Sequence, residues 1–132
     1  MKFLLDTNTV IQIIAGHCGL IARLSKHSPG DFAISSVVML ELYFGAYNSK
    51  KILENLARID ALQFDILSLS DTDAKVAGSI RADLKAKGTP IGAYDLLIAG
   101  QAIARSLTLI TGNVKEFRRV TDLSCQDWSS GG

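Results

Sequence analysis

The stretch Lys2-Phe3-Leu4-Leu5-Asp6-Thr7-Asn8-Thr9-Val10 decides how this chain folds. Phe3-Leu4-Leu5 is a short apolar run that stops at once on Asp-Thr-Asn, side chains that favour turns and caps. Such a run reads as a strand buried on both faces, the kind found in parallel sheets. Thr9 is placed to cap a helix over residues 10–15, which carries Val10, Ile11, Ile13 and Ile14. Gly16 and Gly19 end that helix.

The same alternation recurs along the chain. A helix is expected over 20–26, closed by Ser28-Pro29-Gly30, and Phe32-Ala33-Ile34 is a second strand. Ser35-Ser36 cap a helix with Val37, Leu40 and Phe44 at helical spacing. Residues 50–62 repeat apolar side chains at Ile52, Leu56 and Ile59, an amphipathic surface helix. Phe64 to Leu67 is a third strand. Ser70 or Asp71 caps the longest helix, with Val76, Ala77, Ile80 and Leu84 on one face. After the break at 88–92, residues 94–106 are apolar nearly all round, which implies a helix buried on most sides. Leu107 to Thr111 is a further strand, Gly112-Asn113 a turn, and 114–120 a short helix. Short apolar strands alternating with helices predict an α/β sandwich around a mostly parallel sheet. The expected organisation is one domain over 1–128 with a flexible tail at 129–132.

Composition limits the function. The chain has 132 residues, 48% of them hydrophobic and 20% charged, which excludes a mainly disordered state. Lys and Arg total 14 against 13 Asp and Glu, so a polybasic, non-specific nucleic-acid binder is excluded as well. Cys18 and Cys125 stand far apart in no motif and read as reduced thiols of a cytoplasmic protein. The first residues reach an acid after three apolar positions, so no signal peptide is expected, and no apolar stretch is long enough for a membrane span.

Three acids are placed oddly. Asp6 ends a buried strand, Glu41 lies between Leu40 and Leu42, and Asp95 opens the most apolar helix. Ionised carboxylates in apolar surroundings are costly unless paired, and few cations are near them in sequence. A divalent cation supplies the counter-charge, and Mg²⁺ or Mn²⁺ suits oxygen donors with no His or Cys nearby. Each acid also has a plainer reading: Asp6 as a cap, Glu41 on a solvated stripe, Asp95 against a helix dipole. Asn113 is a fourth candidate, a neutral oxygen donor or simply a turn residue. Thr111, Asn8 and Glu116 are supporting candidates, with a helix-surface place the plainer reading for Glu116. In open parallel sheets ligands sit beyond the carboxyl ends of the strands, which singles out the Asp6 and Thr111–Asn113 ends.

His17 and His27 belong to no metal spacing or nucleophile signature, and no phosphate-cradling glycine loop is present. A phosphatase of the haloacid-dehalogenase kind also begins with strand-Asp. It needs a second acid two residues on as proton donor, and Asn8 stands there. Arg81, Lys85 and Lys87 before the break, and Lys115, Arg118 and Arg119 after Asn113, are candidates for phosphate contacts or members of solvated helix faces. Val10, Ile11, Ile13 and Ile14, with the 50–62 helix, offer apolar surface for core packing, self-association or a partner groove.

Four pieces stand in order: Leu4-Leu5-Asp6-Thr7-Asn8; Ser35-Ser36 through Glu41-Leu42 to Gly45-Ala46; Gly88-Thr89-Pro90-Ile91-Gly92-Ala93-Tyr94-Asp95-Leu96-Leu97; and Thr111-Gly112-Asn113-Val114-Lys115-Glu116-Phe117 with Asp127-Trp128 beyond. Together they resemble the PIN domains, and among these the VapC-type toxins of bacterial toxin–antitoxin pairs. The resemblance implies a three-layer α/β/α sandwich and an endoribonuclease dependent on Mg²⁺ or Mn²⁺. It places Asp6, Glu41 and Asp95 at the family's acidic metal positions, with Asn113 where an Asp often stands. It further implies in-line hydrolysis leaving 5′-phosphate and 3′-hydroxyl ends, a homodimer, and an antitoxin whose C-terminal segment covers the site. Some related members cut initiator tRNA, which makes tRNA a substrate to consider. A catalytically silent PIN scaffold that binds RNA or protein is the non-enzymatic alternative.

Overall fold

The computed structural model describes residues 1–129. Among these residues five strands form one sheet: β1 (Phe3–Leu5), β2 (Phe32–Ser35), β3 (Asp65–Leu67), β4 (Thr108–Ile110) and β5 (Cys125–Gln126). Their order is β3-β2-β1-β4-β5, and every pairing is parallel. β1 is central, with Leu4 opposite Ala33 on one side and Leu109 on the other. Leu4, Leu5, Ala33, Leu109 and Ile110 are fully buried, which is why these strands read as unbroken apolar runs.

Among the described residues seven α-helices make the crossovers. α1 (Thr7–Ile14) and α2 (Cys18–Leu24) join β1 to β2; α3 (Ser36–Tyr47) and α4 (Ile52–Asp60) join β2 to β3. α5 (Asp71–Ala86) and α6 (Ala93–Ala104) join β3 to β4, and α7 (Val114–Phe117) joins β4 to β5. The chain steps outward from β1 to β3, then crosses back to β4 and steps the other way. Parallel crossovers are right-handed, so this reversal puts α5 and α6 on the face opposite α1–α4. The result is the expected three-layer sandwich. The reversal also sends the connections that follow β1 and β4 to opposite faces of the sheet, and the gap between them is the usual ligand position in such sheets.

Packing explains why α6 is apolar on most sides. Leu96, Ile98, Ala99 and Ala102 are buried, and the helix lies against α5. A Cβ at Gly100 would stand 2.8 Å from the Ala77 Cβ and from the Asp73 carbonyl oxygen, so the close approach of the two helices requires glycine there. At the amino ends of β1 and β2, His27 stacks on Trp128 at 5.5 Å while the Arg23 guanidinium lies 4.9 Å from the same ring. Phe3 and Phe32 complete this cluster.

Several sequence expectations are corrected. α1 begins at Thr7 and its cap is Asp6, whose Oδ1 accepts from the Thr9 N–H at 2.9 Å; Thr9 lies inside the helix. On α3 the buried face is Val38, Met39, Leu42 and Ala46, while Leu40 and Phe44 face out. That helix is apolar around its whole circumference, so spacing alone did not select a face. Asp73, in the first turn of α5, is 1% exposed. It closes a capping box with Ser70 and accepts from Arg105 Nη2 at 3.1 Å. α7 stops at Phe117, and β5 was not expected at all.

Cys18 and Cys125 are free. Among the described residues no helix is long and apolar enough to cross a membrane. Ser129 donates to Asp127 through its N–H and hydroxyl, and the rest of the expected tail, 130–132, lies outside the described residues.

Candidate active site

The site starts from Asp6. Its N–H continues the β1–β4 ladder by donating to the Ile110 carbonyl at 3.1 Å, and the Thr9 hydroxyl donates to that same carbonyl at 3.1 Å. Strand end and first helical turn are thus fastened to β4. The buried Asp6 carboxylate spends Oδ1 on the cap, so the plain capping role holds and Oδ2 lies outside that bond.

Glu41 comes to the same end of the sheet on α3. Its Oε1 accepts from the Thr7 hydroxyl at 3.0 Å. Thr7, which holds Glu41, is a candidate position that sequence reasoning passed over, although it stands inside the Asp-Thr-Asn signal. Glu41 and Asp95 line one pocket with Gly92, Ala93 and Tyr94 at the start of α6. Burial, followed by the nearby Glu116, Glu41 and Asp6 carboxylates, pushes the Asp95 carboxyl up to about 6. Glu116 acts on it both through its charge and at hydrogen-bonding range, so the two carboxyl groups face one another.

Glu116 is therefore no mere helix-surface residue; α7 turns it toward Asp95. Asn113 leads into α7, its N–H bonded to the Thr111 hydroxyl at 3.0 Å and its Nδ2 donating to Glu116 Oε2 at 2.6 Å. Thr111 is buried at the end of β4. Asn8 stands exposed in the first turn of α1.

The donor set is one of hard oxygens, and among the described residues no Lys or Arg is ion-paired with any of them. Among the described residues no three Asp, Glu, His or Cys side chains are gathered tightly enough to enclose a metal as they stand. Mg²⁺ commonly keeps several waters and takes only one or two carboxylates directly, and the facing Asp95–Glu116 pair meets that requirement. Asp6 and Glu41 add negative charge within electrostatic range of it.

The sequence-predicted cations divide. Arg81 and Lys85 line a groove with Pro90, Ile91, Ala93 and Leu96, and Ala93 also lines the acidic pocket. Lys87 is drawn away, bonded to Asp83 at 2.9 Å and to the Thr121 hydroxyl at 3.5 Å. Arg119 donates to the Pro90 carbonyl at 3.3 Å and fastens the 88–92 turn. Lys115 and Arg118 are exposed around α7.

Residues 3–123 match the PIN domain family. The chain belongs to the PIN domain family. Its relatives include the tRNA(fMet)-specific endonuclease VapC of Shigella flexneri, 38% identical over 98% of this chain and 99% of the relative. Ribonuclease VapC2 of Rickettsia felis is 37% identical over 97% of this chain and 98% of its own length. Among solved structures, the DNA-bound VapBC of Salmonella typhimurium contains a chain that superposes with a TM-score of 0.92 at 37% identity. That match covers 97% of this chain and 98% of the other. The agreement spans the whole PIN domain, from the strand before Asp6 to the segment after α7.

Proposed function

We propose that this PIN domain is a divalent-metal-dependent endoribonuclease, the toxin of a toxin–antitoxin pair, with tRNA as its substrate class. The observation that carries the reading is the facing pair Asp95 and Glu116, set with Asp6 and Glu41 at the carboxyl ends of the central strands. The full-length likeness to VapC ribonucleases supports it.

Asp95, Glu116, Asp6 and Glu41 would hold Mg²⁺ or Mn²⁺. When bound, the ion supplies positive charge against the phosphoryl oxygens and acidifies water for attack on phosphorus. The chain's own residues prepare the place. Asp6 is fixed by its cap and by β4, Thr7 orients Glu41, and Asn113 and Thr111 set the start of α7. Arg81 and Lys85 offer charge for an RNA backbone entering along their groove. The half-exposed Tyr94 ring stands at the pocket mouth, where a base can stack.

For the antitoxin we assign the groove of about 240 Å³ between α1, α3 and α4. Ile11, Ile14, Leu42 and Ile59 line it, and it reaches Glu41 at one end. An apolar peptide helix ending in a cation fits that lining and would cover the acidic pocket. The outward stripe of Leu40, Phe44 and Tyr47 on α3 is our candidate for the homodimer contact. Free thiols and an RNA substrate favour a cytoplasmic place.

Incubation of purified protein with initiator tRNA tests the reading. Cleavage that needs Mg²⁺ or Mn²⁺ and disappears in Asp95→Asn with unchanged melting supports it. Cleavage that persists in chelator, or none under any metal, overturns it.

A further inference from the structure

We infer that Asn113 is a positioning residue that holds Glu116 against Asp95, so that Asn113 and Glu116 together fill the fourth acidic place. This rests on the metal-dependent reading above and assigns a role within it. The backbone of Asn113 is pinned on both sides: its N–H is held by Thr111 Oγ1 at 3.0 Å, and its carbonyl accepts from the Phe117 N–H at 3.3 Å. Thr111 and Phe117 are both buried, so the anchor is the core itself. From that fixed base Nδ2 reaches Glu116 Oε2 at 2.6 Å.

A carboxylate accepts only, so the amide must turn its nitrogen, not its oxygen, toward Glu116. That choice commits the side chain: the group facing Glu116 is a donor and cannot ligate a cation. Glu116 stands in repelling company, beside Asp95 and near other acids. A side chain in that position needs a holder. Among the described residues no Lys or Arg is ion-paired with it, although Lys115, Arg118 and Arg119 are close in sequence. A cation in that role would cancel the charge that a metal needs. A neutral amide orients the carboxylate and leaves its charge in place. Glu41 is treated the same way by the neutral Thr7 hydroxyl.

The test is a calorimetric titration with Mn²⁺ alone of the parent, Asn113→Ala, Glu116→Ala and the double variant, with melting midpoints measured beside it. Asn113 is exposed, so its truncation leaves the fold in place. Loss of such an orienting group weakens metal affinity by about tenfold or more. Asn113→Ala is therefore expected to bind Mn²⁺ about tenfold more weakly, and the double variant no more weakly than Glu116→Ala. An unchanged affinity in Asn113→Ala overturns the inference while leaving the metal site standing. So do losses that multiply in the double variant, which would make Asn113 an independent ligand. A parent that takes up no Mn²⁺ overturns the metal reading itself, and the positioning role with it.

Discussion

The Thr7 hydroxyl donates to Glu41 Oε1 at 3.0 Å across 34 residues of chain. Thr7 follows Asp6 directly, so one short turn both fixes an acid by capping and orients a second acid on a different helix. The Glu41 side chain, with several rotatable bonds, is thereby held by a residue whose own backbone is set by the end of β1 and its bond to β4.

Removing that hydroxyl tests the arrangement. Thr7→Val keeps shape and loses the donor, leaving Glu41 free to rotate away. RNA cleavage is expected to fall about tenfold, the scale seen when a metal ligand's orienting partner is lost. Thr7→Ser should retain most of the rate. Because the bond is only part-buried, stability should change by about 1 kcal/mol at most. Cleavage rates and chemical denaturation of both variants check this.

Asp95 makes the metal-free protein sensitive to pH. Burial and the neighbouring Glu116, Glu41 and Asp6 raise its carboxyl from the ordinary 3.8 to about 6. The folded state then holds the proton more tightly than the unfolded chain does, so ionisation weakens the fold. Relative to an Asp95→Asn variant, the parent should match best below pH 4 and lose stability as pH rises from about 4 to 6, levelling above. Asp95→Asn should melt higher than the metal-free parent at pH 7.5. Millimolar Mg²⁺ should raise the parent and leave the variant unmoved, because only a state with a bound ion gains from it. Thermal melts across pH with and without the ion measure both effects.

The Arg81–Lys85 groove should show in substrate binding. Arg81→Ala and Lys85→Ala are expected to raise KM with little effect on kcat. Each should also flatten the dependence of log affinity on log salt by about 0.7 for single-stranded RNA. Lys87→Ala is expected to change neither by much, since Lys87 already serves Asp83. Steady-state kinetics at several salt concentrations separate these outcomes.

Away from the site, Asp73 depends on Arg105. Burial would raise the Asp73 carboxyl, but hydrogen bonds from Ser70 and the Arg105 guanidinium outweigh it and hold it below the usual value. Arg105→Ala should cost about 2 kcal/mol at neutral pH, less than a fully buried pair because the arginine is about one-third exposed. The loss should shrink as pH falls below the ordinary 3.8, where Asp73 protonates in the unfolded chain and then in the folded one. Denaturant titrations at neutral and acid pH check it.

Much of the fold was legible because the strands are so short and so buried that their apolar runs end cleanly on polar turns, as Leu5 does at Asp6. The break at 88–92 and the apolar helix beyond it were equally plain. The inward face of α3 was not legible, since apolar residues surround that helix and only its neighbours decide which side is covered. Asp73 looked like any acid in a first turn; the packing of α5 on α6 that covers it, and its bond to Arg105, 32 residues away, are set by tertiary structure. At the site, Asp6 and Asp95 announced themselves by their places at a strand end and a helix start. Glu116 did not, because its meeting with Asp95 depends on how the Thr111–Asn113 turn sets α7. Thr7 was hidden for the same reason: its partner Glu41 lies on another element.

The most direct measurement is a crystal structure of the protein soaked in Mn²⁺, with the anomalous signal of the metal recorded. The expected result is a peak beside Asp95 and Glu116, with carboxylate oxygens at about 2.1 Å and Asp6 and Glu41 facing its waters or bound to it. No peak there at millimolar Mn²⁺, or a peak held by other residues, contradicts the assignment of this end of the sheet as the catalytic centre.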